Sequence, residues 1–94
     1  MERIPRIVSV GPHGQAELLV RFENGVDKLY DCRALLGRPQ FRLLNHAAFF
    51  RAVRVDPGGY GISWNDDIDV SEYELWVRGT PLLKEPAQQE GRAG

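Results

Sequence analysis

Cysteine is nearly absent from this chain: Cys32 is the one residue of its kind among 94. A lone cysteine makes no internal disulfide, and with only His13 and His46, far apart in the chain, it makes no zinc cluster. Charge of either sign is not in excess. Twelve basic residues meet thirteen acidic ones, for a formal net charge of −1, so no global field draws the chain to nucleic acid or to a membrane. Long apolar runs are missing too, and nothing approaches the ~20 residues of a membrane span. The opening segment MERIPRIVSV lacks the apolar stretch of a secretory signal. These absences predict a cytoplasmic protein without a membrane association. A glycine-rich phosphate loop is also lacking: Gly58-Gly59-x-Gly61 sits between two strand-like segments and opens no helix.

What remains is ordinary globular composition, 43% hydrophobic and 27% charged. Residues 1–83 are expected to form one small domain. Residues 84–94, KEPAQQEGRAG, carry no large apolar side chain and are expected to form a disordered tail.

The first third reads as strands. Ile4–Val10 is rich in β-branched residues and is followed by the turn cluster Gly11-Pro12-His13-Gly14. In Ala16–Phe22, Leu18, Val20 and Phe22 alternate with Glu17, Leu19 and Arg21, a period of two. Glu23-Asn24-Gly25 then reverses the chain into Val26–Cys32. A two-residue Asn-Gly loop would place Asp27 and Asp31 opposite Phe22 and Leu18, on the apolar face. A three-residue loop with Gly25 left-handed sets Phe22 opposite Val26 and Leu18 opposite Tyr30, interrupted only by Lys28. The bulged turn is therefore the expected one.

The middle reads as short helical pieces. Arg33–Leu36 allows one turn before Gly37-Arg38-Pro39. Phe41, Leu44 and Ala48 have helical spacing, and Asn45 is the expected N-cap of a short turn over His46–Phe50. Arg51–Val55 and Tyr60–Trp64 read as a second hairpin around the turn Asp56-Pro57-Gly58-Gly59. The clearest helix comes last. Ser71 with Glu74 three residues on is a capping box, Arg78 closes the last turn, Gly79 is the expected C′ residue, and Pro81 blocks continuation. Leu75, with Tyr73, is expected on the buried face, leaving Trp76 partly exposed. The sum is an α+β fold: a small antiparallel sheet of two hairpins plus an N-terminal strand, short helical turns and a C-terminal helix.

The order Phe22-x-Asn24-Gly25, Tyr30-Asp31, Leu35-Leu36, Phe41, Phe49, Val53-x-Val55-Asp56, Gly61-x-x-Trp64, Ile68-Asp69 and the Leu75 helix resembles a bacterial family, the domain of unknown function 2442. The resemblance spans roughly residues 4–80 and rests on order and spacing, with no single diagnostic motif. It implies a small α+β fold and a place beside another small gene in a toxin–antitoxin-like arrangement. Some members are fused to a helix-turn-helix domain, and nothing after residue 80 reads as one here. The family carries no established catalytic residues to transfer, and its usual proline after the tryptophan is Asn65 in this chain.

Several groups invite a chemical reading. From Arg33 to Val55 there are five arginines (Arg33, Arg38, Arg42, Arg51, Arg54) and no acid. From Asp56 to Val77 there are six acids and no base. Either one block meets a charged partner, phosphates in the arginine case, or the two blocks face each other or solvent. Asp66-Asp67-Ile68-Asp69 clusters carboxylates but lacks the spacing of a calcium loop, and no metal is expected. Cys32 lies between Asp31, which opposes a thiolate, and Arg33, which favours one. Neither histidine has a partner visible in sequence, so the chain is not expected to be an enzyme or to hold a cofactor. The expectation is a non-catalytic interaction or regulatory module for a small protein partner. The alternative is a nucleic-acid-binding regulator. Arg42, Arg51, Arg54 and Trp76 are the residues expected to meet the partner; Phe41, Phe49, Phe50 and Trp64 are expected in the core.

Overall fold

Two antiparallel sheets share one apolar core in the computed structural model, which describes residues 3–82. The proposed tail at 84–94 lies outside these residues. The first sheet has the order β1 (Ile7–His13), β2 (Glu17–Phe22), β3 (Asp27–Asp31) and β7 (Thr80–Pro81). The second is β4 (Arg54–Val55), β5 (Gly61–Asn65) and β6 (Ile68–Ser71). Between β3 and β4 run two 3₁₀ segments, Cys32–Ala34 and Pro39–Asn45, and a short helix α1 (Ala47–Phe50). A seven-residue helix α2 (Glu72–Arg78) precedes β7. The α+β class stands, with the strands divided between two sheets.

The β2–β3 hairpin adopts the bulged turn. Leu18 lies opposite Tyr30 and Arg21 opposite Asp27. The Phe22 N–H donates to the Val26 carbonyl at 2.9 Å, and Gly25 sits at φ +89°. Lys28, the one break in the apolar face, stays buried because its ammonium lies 3.7 Å from the centroid of the Trp76 ring and donates to the Trp76 carbonyl.

Other boundaries move, each for a physical reason. β1 begins at Ile7 and runs on through Gly11 and Pro12 to His13, and is not halted by the turn cluster. It is an edge strand, so the missing N–H of Pro12 costs no ladder bond. The strand expected over Arg51–Val55 is reduced to Arg54–Val55, because the Arg51 and Ala52 N–H groups close the end of α1 on the Ala47 and Phe49 carbonyls. Asn45 is not the cap of α1. It ends the preceding 3₁₀ segment, its amide donating to the Arg42 carbonyl, and His46 takes the capping position without a side-chain bond.

The acidic stretch after Trp64 is a hairpin turn. Asn65 Oδ1 accepts from the Asp67 and Ile68 N–H groups at 2.9 and 2.8 Å, and the chain returns as β6. Asn65 thus fixes the reversal by side-chain bonding to the two N–H groups of the turn.

α2 forms as its ends dictate. Ser71 Oγ accepts from the Glu74 N–H at 3.1 Å. The reciprocal half of the capping box is missing, since the Glu74 carboxylate accepts from the Tyr30 hydroxyl at 2.9 Å and pairs with Arg78. Gly79 is extended (φ −71°, ψ 149°) and not left-handed. Its reason is space: a Cβ there would lie 2.5 Å from the Leu75 carbonyl oxygen.

The core draws on every layer. Leu18, Val20, Phe22 and Tyr30 come from the first sheet, Ile62, Trp64, Ile68 and Val70 from the second, and Leu35, Phe41, Leu44 and Phe50 from the connecting segment. Trp64 is buried there as expected, its ring stacked on Phe50 and its indole N–H donating to the Phe50 carbonyl at 2.9 Å.

Candidate functional site

Where the chain leaves the first sheet, it opens a cavity of about 510 Å³. Asp31 starts this departure by accepting the Arg33 N–H at 2.9 Å, and the Cys32 N–H donates to the Ala16 carbonyl at 2.8 Å. The 3₁₀ segments and α1 then arch over the β1–β2 turn. Cys32, Leu36, Leu44, Ala47 and Phe50 line the cavity, together with Arg33 and Arg51.

Cys32 is 1% exposed, so it presents only a sliver of its surface to this space. Burial pushes its thiol up to about 12, and the neighbouring Asp31 carboxylate adds to the shift. Arg33 does not offset this. Its guanidinium is turned onto Asp31 in a fork of bonds between 2.7 and 3.2 Å, which holds the Asp31 carboxyl below the usual range. At neutral pH the group is a protonated thiol and a poor nucleophile. Tyr30 is likewise held in its neutral form by burial, then by its bond to Glu74. His13 and His46 are both exposed, on β1 and at the start of α1.

The arginine and acid blocks do not pair. Among the described residues no ion pair joins them: Arg33 goes to Asp31, and the acid Glu74 goes to Arg78. Arg38 of the first block and Asp69 and Glu74 of the second line a small cleft of about 180 Å³ without pairing. Arg42 and Arg51 are exposed, and neither makes an ion pair among the described residues. Arg54, also exposed, donates to the Trp64 carbonyl at 3.4 Å. Among the described residues no three His, Cys, Asp or Glu side chains gather as a metal ion requires, and no helix is long and apolar enough to cross a membrane.

Trp76 lies in another part of the fold from these arginines. It packs edge-on against Phe22, centroids 4.9 Å apart, beneath Lys28 at the junction of α2 with β3. It is half-buried. The expected burial of Tyr73 is reversed: Tyr73 is 61% exposed and Val77, four residues on, is 54% exposed. Leu75 is the fully buried residue of α2, with Trp76 packed beside it, and Tyr73 and Val77 lie on the opposite side of the helix from Leu75. The spacing Tyr73-x-x-x-Val77 was the signal for this outward face. The cavity left no such signal, since its lining residues share no period.

These features define a small α+β scaffold with one sizeable cavity, a run of exposed arginines and an apolar outer face on its last helix. Residues 7–81 match the family described as "Protein of unknown function (DUF2442)", and the chain belongs to that family. No curated protein and no solved structure matches it.

Proposed function

We propose that this chain is a non-catalytic interaction module: a small bacterial, cytoplasmic protein that regulates or neutralises another small protein encoded beside it. The observation that carries this reading is the outward face of α2. Tyr73 and Val77, each more than half exposed, flank the half-buried Trp76 at helical spacing. Apolar side chains turned outward in this way add little to the fold's own core, and contiguous exposed apolar surface marks contact sites. Tyrosine and tryptophan are the residue types enriched where a few side chains carry binding energy. The protonated, buried state of Cys32 supports the same reading, since it withdraws the chain's single thiol from nucleophilic chemistry.

The test is affinity capture from the source cell with two baits, the native chain and a Tyr73→Ala/Val77→Asp variant. The native bait is expected to retain the product of the adjacent gene, and the variant to lose it by tenfold or more, about 1.4 kcal/mol. Retention of no partner by the native bait, or equal retention by both, would overturn the reading.

A second reading, nucleic-acid binding, is favoured by one observation: Arg42 and Arg51 stand exposed without acidic partners among the described residues. The phenylalanines of the arginine block offer it no stacking platform, as Phe41 and Phe50 are buried and Phe49 is half-buried against the core. The same native bait distinguishes it, by retention of DNA or RNA that falls steeply with salt and disappears on replacing Arg42, Arg51 and Arg54 with alanine.

A further inference from the structure

We propose that the cavity beside Cys32 is a binding site for a small carboxylic acid with an apolar body, of the size of a medium-chain fatty acid. Three observations converge on it, and none depends on the α2 surface. First, the volume of about 510 Å³ lies within the ~300–1,000 Å³ typical of small-molecule sites. Second, much of the lining is apolar: Leu36, Leu44, Ala47 and Phe50 share it with the protonated Cys32 thiol, which behaves as a small hydrophobic group, and with the neutral amides of Gln15 and Asn45. Third, the lining includes two guanidinium-bearing residues and no acid. Arg33 is already occupied by Asp31 in a fork geometry. Arg51 makes no ion pair and no side-chain hydrogen bond among the described residues, so its guanidinium is available at the edge of the apolar space.

One available guanidinium selects the ligand's charge. It matches a single carboxylate through two parallel N–H···O bonds. A phosphate dianion would be left half neutralised, with Arg33 committed elsewhere. A neutral apolar molecule would cover the apolar lining but forgo the charged contact. The ligand class is therefore a monocarboxylate whose alkyl or aryl group covers Leu44 and Phe50 while its head reaches Arg51.

Octanoate is the probe, with octanol as its uncharged counterpart, each titrated into the full chain and followed by amide and methyl chemical shifts. Octanoate is expected to give saturable shifts centred on Leu36, Leu44 and Ala47, and to bind about tenfold or more tighter than octanol, the contribution of one charged hydrogen-bonded contact. Arg51→Gln is expected to abolish that preference while leaving octanol binding unchanged. Arg42→Gln, outside the cavity lining, is expected to change neither. Both arginines are exposed, so these variants leave the core untouched. The proposal is overturned by an absence of saturable shifts at the cavity up to millimolar octanoate. It is equally overturned by shifts scattered over the surface, or by an octanoate preference that survives in Arg51→Gln. A protein that binds octanoate but captures no partner keeps this site and loses the interaction-module reading, so the two failures are distinguishable.

Discussion

Gly59→Ala is expected to destabilise the protein by about 3 kcal/mol or more, against about 1 kcal/mol for Gly25→Ala. Both glycines are left-handed, at φ +77° and +89°, so the backbone penalty on an added Cβ is similar. The difference is what the Cβ meets. At Gly25 there is nothing within 4 Å. At Gly59 the Cβ would lie 2.6 Å from the Ile7 carbonyl oxygen and 3.0 Å from the Ile7 nitrogen, both backbone atoms of β1. A rotamer change cannot relieve such a clash; the strand itself has to move. The cost reaches beyond one turn, because this contact is where the connection between β4 and β5, in the second sheet, rests on the first. Arg6, next to Ile7, ties the same place, its guanidinium donating to the Gly58 carbonyl at 3.3 Å and lying 4.1 Å from the centroid of the Tyr60 ring. Urea unfolding of the two variants beside the native chain measures the contrast. Equal losses at both positions would mean that the two sheets do not meet at Gly59.

Trp64→Ala is expected to cost about 3–5 kcal/mol, a large share of the ~5–15 kcal/mol that a domain has in total. Trp64 joins three parts of the core. It belongs to β5, its ring stacks on Phe50 with centroids 6.4 Å apart, and its indole N–H satisfies the Phe50 carbonyl at the end of α1. Trp64→Phe separates packing from hydrogen bonding. It keeps an aromatic ring but leaves the buried Phe50 carbonyl without its donor, for a loss of about 1–3 kcal/mol. Chemical denaturation followed by circular dichroism reads both variants. A Trp64→Phe protein as stable as the native one would show that the indole N–H contributes nothing.

The elements legible in the sequence were those decided by a few consecutive residues. The bulged turn follows from keeping Leu18, Val20 and Phe22 on one face against β3, with Gly25 taking the positive φ at least cost. The α2 start follows from Ser71 capping its own third neighbour. Both are local.

What escaped depends on neighbours distant in the chain. Pro12 reads as a strand terminator, and is tolerated only because β1 lies at a sheet edge. Thr80–Pro81 is too short to show a period and becomes a strand only by pairing with Lys28 and Leu29. Ile68-Asp69-Val70-Ser71 alternates buried and exposed, but four residues are too few to establish a period without the partner strand β5. Glu74 satisfies half of a capping box because its carboxylate finds the Tyr30 hydroxyl, 44 residues earlier in the chain. Of the candidate site residues, the charges of Arg42 and Arg51 were visible in sequence. That Arg33 is consumed by Asp31 and that Arg51 lines a cavity required the folded chain, whereas the i, i+4 spacing of Tyr73 and Val77 carried the signal of an outward face.

The claim beneath the functional reading is that Cys32 is a sealed, protonated structural thiol and that this protein acts by binding. The most direct measurement is the rate at which Ellman's reagent labels Cys32 at pH 8, in the folded chain and in the same chain unfolded in urea. A thiol moved from 9.0 to about 12 holds roughly a thousandfold less thiolate, and burial further restricts access. The account predicts labelling of the folded protein at least about a hundredfold slower than of the unfolded chain. Labelling of the folded protein as fast as, or faster than, the unfolded chain would reveal an activated and accessible thiol, and would contradict it.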